Sequence, residues 1–291
     1  AHLPELAEEW LDRMEQAGIV PNVISFSSAI SAYAKTAQPG EAGRLLKRMR
    51  SRGIKPDTVT INNVIDAQAR AGNVQQAVAW LNRTRRGEFP EAPADVVSYT
   101  IVISALSRSG KLPDARRWLD IMIASGVKPD LLCYNTLVVG MAGSCRWNEI
   151  DALLRMMRAD GVQPDQWTYG PLLEACRRSG DKRRSRRIGK KMFLSPGTYS
   201  SFCLISLRRS LGQAQFRALC CECGVEELAN EKYDIKERGD HDASTYRFRP
   251  VEQRLLLMRN SPATLLVSED YNVTSPLSSQ VIRMHIVELT D

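Results

Sequence analysis

Few side chains in this 291-residue sequence are spaced for covalent or metal chemistry. Cys220 and Cys223 make a single Cys-x-x-Cys, with His241 the nearest imidazole. A structural zinc ion needs four ligands in paired spacings, and no second pair follows. The chain holds three histidines, His2, His241 and His285, too few and too far apart in sequence for a Ser/His/Asp or Cys/His machine. Asp240, Asp242, Glu269 and Asp270 are too scattered for the converging carboxylates of a metal-dependent nuclease. No His-x-Glu followed by paired cysteines marks a zinc deaminase. The expectation is a protein with no catalytic residues, no metal and no cofactor, which acts by binding.

Charge narrows what it could bind. Lys and Arg number 40 against 33 Asp and Glu, a net charge of +7. Residues 1–192 carry 29 basic and 20 acidic side chains, whereas residues 193–291 carry 11 and 13. Between Arg177 and Lys191 nine basic residues face only Asp181. Such a surplus permits an anionic partner without proving one. A hydrophobic share of 43% and a charged share of 25% exclude a wholly disordered or collagenous chain. No apolar run approaches the 18 residues of a membrane span. Seven cysteines, scattered apart from Cys220, Cys221 and Cys223, do not form a secreted disulfide framework and point to a reducing compartment.

The elements that must position any site repeat. Gly-Ile/Val-x-Pro-Asp/Asn occurs at Gly18–Asn22, Gly53–Asp57, Gly126–Asp130 and Gly161–Asp165, with a degenerate copy ending at Asp95. The period is 35 residues, lengthened to 38 where a Pro-rich insertion, Glu88–Ala94, predicts a longer surface loop. Counting each unit from the residue after this mark, the fourth position is Phe26, Ile61, Tyr99, Tyr134 and Tyr169. The twentieth is Ala42, Ala77, Ala115 and Ile150, and the twenty-seventh includes Met14, Met49, Met122, Met157 and Met192. Inside a unit the apolar spacing is helical, as in Tyr99, Val102, Ile103 and Leu106 and again in Ala115, Trp118, Leu119 and Met122. Gly110 suits the end of one helix and Pro113 the start of the next. Each closing aspartate can cap the following helix. Every unit is therefore a helix–turn–helix hairpin that cannot bury both apolar faces alone, and neighbours must stack into an all-α solenoid. The array is read as a partial unit (1–22), four full units (23–57, 58–95, 96–130, 131–165) and a last one (166–192).

Val96–Gly110, read with the Gly-Val-Lys-Pro-Asp that follows it, resembles the pentatricopeptide repeat family, and the resemblance spans residues 1–192. It implies a right-handed superhelix that binds single-stranded RNA, one base per unit. A tetratricopeptide array, which binds peptides, has a 34-residue unit. By resemblance, the fifth residue of a unit and its closing residue read one base, giving the pairs Ser27/Asp57, Asn62/Asp95, Thr100/Asp130 and Asn135/Asp165. A small hydroxyl with Asp resembles a guanine reader and Asn with Asp a uracil reader, so the implied core is 5′-GUGU-3′. Gly170 offers no side chain to a fifth base. Second positions, Ile24, Val59, Val97, Leu132 and Trp167, either stack on base faces or pack between neighbouring hairpins. Basic thirteenth positions, Lys35, Arg70, Arg108 and Arg178, either contact phosphates or are solvated, with Gly143 the exception. The cluster at Arg183, Arg184, Arg186, Arg187, Lys190 and Lys191 falls on a second helix, where it could hold RNA backbone, meet a protein effector or face solvent.

The resemblance also implies work on plastid or mitochondrial transcripts, in processing, stability or translation, without catalysis. A protein-interaction scaffold and the RNA-binding part of a processing enzyme are the competing expectations. The opening partial unit predicts further units upstream, along with any targeting segment. After Met192 the period fails. Leu204–Leu211 and Ala214–Cys221 read as a short helical cap within 193–230, and 231–291 as an irregular, largely disordered extension.

Overall fold

The computed structural model describes residues 4–195 and 200–230. Every regular element among them is an α-helix. α1 (Pro4–Gln16) is a lone second helix, followed by four hairpins: α2 (Val23–Lys35) with α3 (Pro39–Ser51), α4 (Thr58–Arg70) with α5 (Val74–Arg85), α6 (Val96–Arg108) with α7 (Leu112–Ala124), and α8 (Leu131–Gly143) with α9 (Trp147–Ala159). α10 (Gln166–Ser179) and α11 (Lys182–Leu194) follow, then α12 (Ser201–Leu211), α13 (Gln213–Glu222) and the single turn α14 (Glu227–Asn230). The chain divides into two compact units, residues 1–175 and 176–291. Their boundary lies inside α10, so the last repeat is shared between them.

In the first unit the first helices touch in series, α2 on α4, α4 on α6 and α6 on α8. Each also packs on its own second helix, and α3, α5 and α7 reach the first helix of the next hairpin. The landmarks of the repeat form this interior. Phe26, Ile61, Tyr99, Tyr134 and Tyr169 are all 2% exposed or less. Ala42, Ala77 and Ala115 are fully buried, where a larger side chain would hold the paired helices apart. Met49, Met122 and Met157 are buried at the far end of each second helix. Removing a Leu- or Met-sized group from such a core costs about 2–5 kcal/mol.

The repeated turn has one cause. Gly53, Gly126 and Gly161 take φ of 74°, 77° and 79°, a left-handed conformation that L side chains rarely adopt. That turn lets the next amide, of Ile54, Val127 or Val162, donate to the carbonyl of Met49, Met122 or Met157 and close the helix. The insertion Glu88–Ala94 is a loop, as its prolines predict, but a packed one. Phe89 is 4% exposed and stacks on Trp80 with ring centroids 6.0 Å apart, and Arg83 lies 4.1 Å above the Trp80 ring.

In the second unit α11 turns Ile188, Met192 and Phe193 inward, and α12 and α13 pack on it. Gly189 is the contact point: a Cβ there would meet the Leu207 and Leu219 methyl groups at 2.7–3.0 Å. α12 and α13 start three residues and one residue ahead of the sequence reading. Residues 231–291, expected to be irregular, lie outside the described residues.

Candidate nucleic-acid interface

The first helices of residues 1–175 present one periodic row of side chains. Near the N-terminus of each stands an exposed apolar residue: Ile24 (74% exposed), Val59 (59%), Val97 (52%), Leu132 (64%) and Trp167 (70%). Five of five second positions therefore face outward, and packing between hairpins does not account for them. Three residues on, at a helical spacing that keeps them on the same face, Ser27, Asn62, Thr100 and Asn135 are each 7–8% exposed. Uniform burial across four units means that one wall of the row is built to a single depth.

Each closing residue enters this row as a helix cap. Asn22, Asp57, Asp95 and Asp130 accept from the backbone N–H of Ser25, Thr60, Ser98 and Cys133, and Asp165 from that of Thr168 at 2.9 Å. In all four aspartates Oδ1 does this work. Oδ2 of Asp57, Asp95, Asp130 and Asp165 has no hydrogen-bond partner among the described residues, leaving one carboxylate acceptor per unit.

The fifth-position side chains meet their closing aspartates in two ways. Asn62 Nδ2 donates to Asp95 Oδ1 at 3.0 Å, and Asn135 Nδ2 to Asp165 Oδ1 at 3.1 Å. A hydroxyl completes each arrangement: Ser98 Oγ donates to Asn62 Oδ1 at 2.5 Å, and Thr168 Oγ1 to Asn135 Oδ1 at 2.6 Å. Ser27 and Thr100 make no bond to their aspartates. The Ser27 hydroxyl instead accepts from Asn63 Nδ2 at 3.4 Å. The Thr100 hydroxyl is buried with the weakly bonding Cys133 thiol as its polar neighbour. Burial pushes that thiol up to about 12, against a smaller lowering by Thr100, so it is neutral at any physiological pH. A hydroxyl left unsatisfied beneath a surface costs about 1–3 kcal/mol until something bonds it.

The basic thirteenth positions are all exposed. Lys35 and Arg108 have no ion pair among the described residues, whereas Arg70 Nε lies 2.5 Å from Asp66 Oδ2. Arg178 lies in the second unit. The basic cluster is partly neutralised: Arg186 and Lys190 converge on Glu222 at 2.6 and 2.8 Å, and Arg184 lies 3.2 Å from Asp181. Glu222 stands between Cys221 and Cys223, and no cluster of metal-ligating side chains occurs among the described residues. Sequence reasoning missed the third positions, Ser98 and Thr168. Their signal is small: a hydroxyl three residues after the closing residue reads as half of a capping box.

A row of hairpins with an exposed apolar residue, a shallow polar residue and a carboxylate in each unit defines an α-helical repeat protein with one linear, periodic face. Comparison with known proteins supplies the family. A model described as the PPR repeat family matches residues 21–70 and 94–143, and one described as the pentatricopeptide repeat domain matches 4–36 and 152–193. Together they take in more than half of the sequence, and the chain belongs to the pentatricopeptide repeat proteins. It resembles the crystal structure of PPR10 in complex with an 18-nt psaJ RNA element, with 27% identity and a TM-score of 0.56 over 62% of this chain and 26% of that one. PPR10 from maize aligns at 24% identity and a TM-score of 0.54, over 76% of this chain and 28% of that one. The nuclear protein-only RNase P 2 of Arabidopsis thaliana shares the fold at 13% identity, TM-score 0.51, with 63% and 41% covered. This chain thus spans about a quarter of PPR10. No curated protein matches it.

Proposed function

We propose that the chain binds single-stranded RNA along the first-helix row, one base per hairpin, without catalysing a reaction. The observation that carries this reading is the row itself: outward apolar groups at every second position, above polar groups of one depth. Likeness to PPR10 bound to RNA supports it. Chemically, the apolar residues flank base faces, a contact that tolerates any base and is worth up to about 1 kcal/mol for an aliphatic platform, below the aromatic range. The free Oδ2 of Asp57, Asp95, Asp130 and Asp165 accepts a hydrogen bond, and placed opposite the ring nitrogen it favours guanine and uracil, whose ring nitrogen there carries a hydrogen, over adenine and cytosine, whose ring nitrogen is bare. The fifth-position donor, Ser27, Asn62, Thr100 or Asn135, then meets a keto oxygen. These roles select guanine or uracil, and the family resemblance, hydroxyl with Asp for guanine and Asn with Asp for uracil, gives 5′-GUGU-3′ in chain order. Lys35, Arg70 and Arg108 supply phosphate contacts that position the strand.

The test is binding of the full chain to a labelled oligonucleotide carrying GUGU against a scrambled one, over a salt series. The expected result is tighter binding to GUGU and an affinity that falls with salt. Equal binding at every salt concentration would falsify the reading. Thr100→Asn refines it: preference at the third base should move from G toward U. Action on plastid or mitochondrial transcripts belongs to the same proposal. Imaging a fusion of the complete protein tests it, and an exclusively cytosolic or nuclear signal would rule it out.

A further inference from the structure

The two Asn-bearing units hold their amides in a way the two hydroxyl-bearing units do not. We propose that Ser98 and Thr168 are positioning residues that fix the amide orientation of Asn62 and Asn135, and so make those units select a keto pyrimidine over an amino one. This deepens the RNA-reading proposal and rests on it.

A carboxamide can be turned over by half a rotation, exchanging its oxygen for its NH2 at nearly the same shape. Asn62 has its Oδ1 held by the Ser98 hydroxyl at 2.5 Å and one Nδ2 hydrogen held by Asp95 at 3.0 Å. Asn135 is held the same way by Thr168 at 2.6 Å and Asp165 at 3.1 Å. Turning either amide over would set Oδ1 against a carboxylate that repels it, and would leave the hydroxyl only its longer bond, to Asp95 Oδ1 at 2.9 Å or Asp165 Oδ1 at 3.0 Å, in place of the one to the amide oxygen. Ser98 and Thr168 also accept from the backbone N–H of Asp95 and Asp165, at 3.2 and 3.1 Å, which directs their own hydrogens away from the backbone. Both hydroxyl residues are fully buried, so neither can touch a base.

What is left on each amide is its second N–H, a donor, next to the free Oδ2 of the closing aspartate, an acceptor. Donor beside acceptor complements the keto oxygen and imino N–H of uracil. Cytosine presents an amino donor and a bare ring nitrogen, the reverse order. An amide free to turn over could offer Oδ1 to the cytosine amino group, and the distinction would shrink. The third position following Thr100 is Cys133, whose weakly donating thiol would not hold an amide in this way.

The experiment measures U-over-C discrimination base by base, with GUGU, GCGU and GUGC oligonucleotides and the full chain. Ser98→Ala should lower the ratio at the second base about threefold to tenfold, the worth of one hydrogen bond, and leave the fourth base unchanged. Thr168→Ala should do the reverse, and Ser98→Thr should keep wild-type discrimination. Circular dichroism reports on folding. Should the alanine variants fail to fold, a gain-of-function pair decides, read on GUUU against GUCU: Thr100→Asn with Cys133→Ser must discriminate U from C at the third base more sharply than Thr100→Asn alone. Folded alanine variants with unchanged ratios, ratios that fall at both bases together, or no gain from Cys133→Ser would overturn the inference. A wild-type chain indifferent to GUGU, GCGU and GUGC alike would instead overturn the RNA-reading proposal beneath it.

Discussion

First and second helices of residues 1–175 are built from the same 35-residue unit, yet they use polar groups in opposite ways. On the second helices α1 and α3 charge is paired across neighbours. Arg44 lies 2.6 Å from Glu8, and Arg48 bridges Asp12 at 2.5 Å and Glu15 at 2.9 Å. Arg52 completes this network on Glu15 at 2.5 Å. On the first helices the comparable groups are left open: an aspartate oxygen in each unit, the Thr100 hydroxyl, one N–H each on Asn62 and Asn135. The difference separates cohesion from recognition. The pairs tie α1 to α3, and the open groups are those that the proposed RNA binding would use.

Substitutions on the two sides should therefore have opposite signatures. The largest effect is expected from Val97→Asp with Leu132→Asp, which removes two outward platforms and adds negative charge. RNA affinity should fall about thirtyfold, roughly 1 kcal/mol per platform. Thermal stability should stay within about 0.5 kcal/mol per site, because neither side chain is buried. A melting temperature that drops in step with affinity would erase the distinction. Arg48→Ala is the complementary change. It should lower stability by about 1–2 kcal/mol in denaturant titrations, since Asp12, Glu15 and, at 3.6 Å, Glu8 lose a shared partner, while leaving oligonucleotide binding unaltered.

Acid should weaken the second-helix side. The Arg44 guanidinium, with help from the Tyr33 hydroxyl, holds the Glu8 carboxyl below its usual range. A carboxyl depressed on folding stabilises the fold above its unfolded pKa and loses that contribution as pH falls through the folded value. The stability difference between wild type and Glu8→Gln should thus be full at neutral pH, under about 1 kcal/mol, and vanish in strong acid. A difference that grows on acidification would contradict the pairing. Smallest of all is a contrast within the first helices. Lys35→Gln should reduce the salt slope of RNA binding by about one. Arg70→Gln should reduce it by less, because Asp66 already neutralises that guanidinium.

The fold was legible in the sequence because it rests on a period. Phe26, Ile61, Tyr99 and Tyr134 recur where a core residue must recur, and the positive-φ glycines announce where each helix stops. Second positions were left between stacking and packing by sequence, since an apolar residue on a helix fits either. Their exposure of 52–74% is a property of neighbours on other hairpins. The Ser98 contact with Asn62 was not legible for the same reason: it joins residues from adjoining units, 36 positions apart. The last repeat read as one hairpin, yet the boundary between compact units runs through its first helix. The packing that sets this boundary is long-range and leaves no local mark. The buried Phe89 is a further case, because prolines announce a loop without saying what the loop rests on.

That loop has a consequence for length. The unit containing it is three residues longer than its neighbours, yet its Asn62–Asp95 bond is 3.0 Å against 3.1 Å for Asn135–Asp165 in a unit without it. Extra residues entering before the closing turn are folded onto Trp80 and Arg83, and the pitch of the row does not register them. The turn after a second helix is thus a port at which sequence can be added without shifting the frame. A fluorophore or affinity tag grafted between the exposed Pro90 and Glu91, ahead of the buried Ala92, would ride on the scaffold without shifting the row.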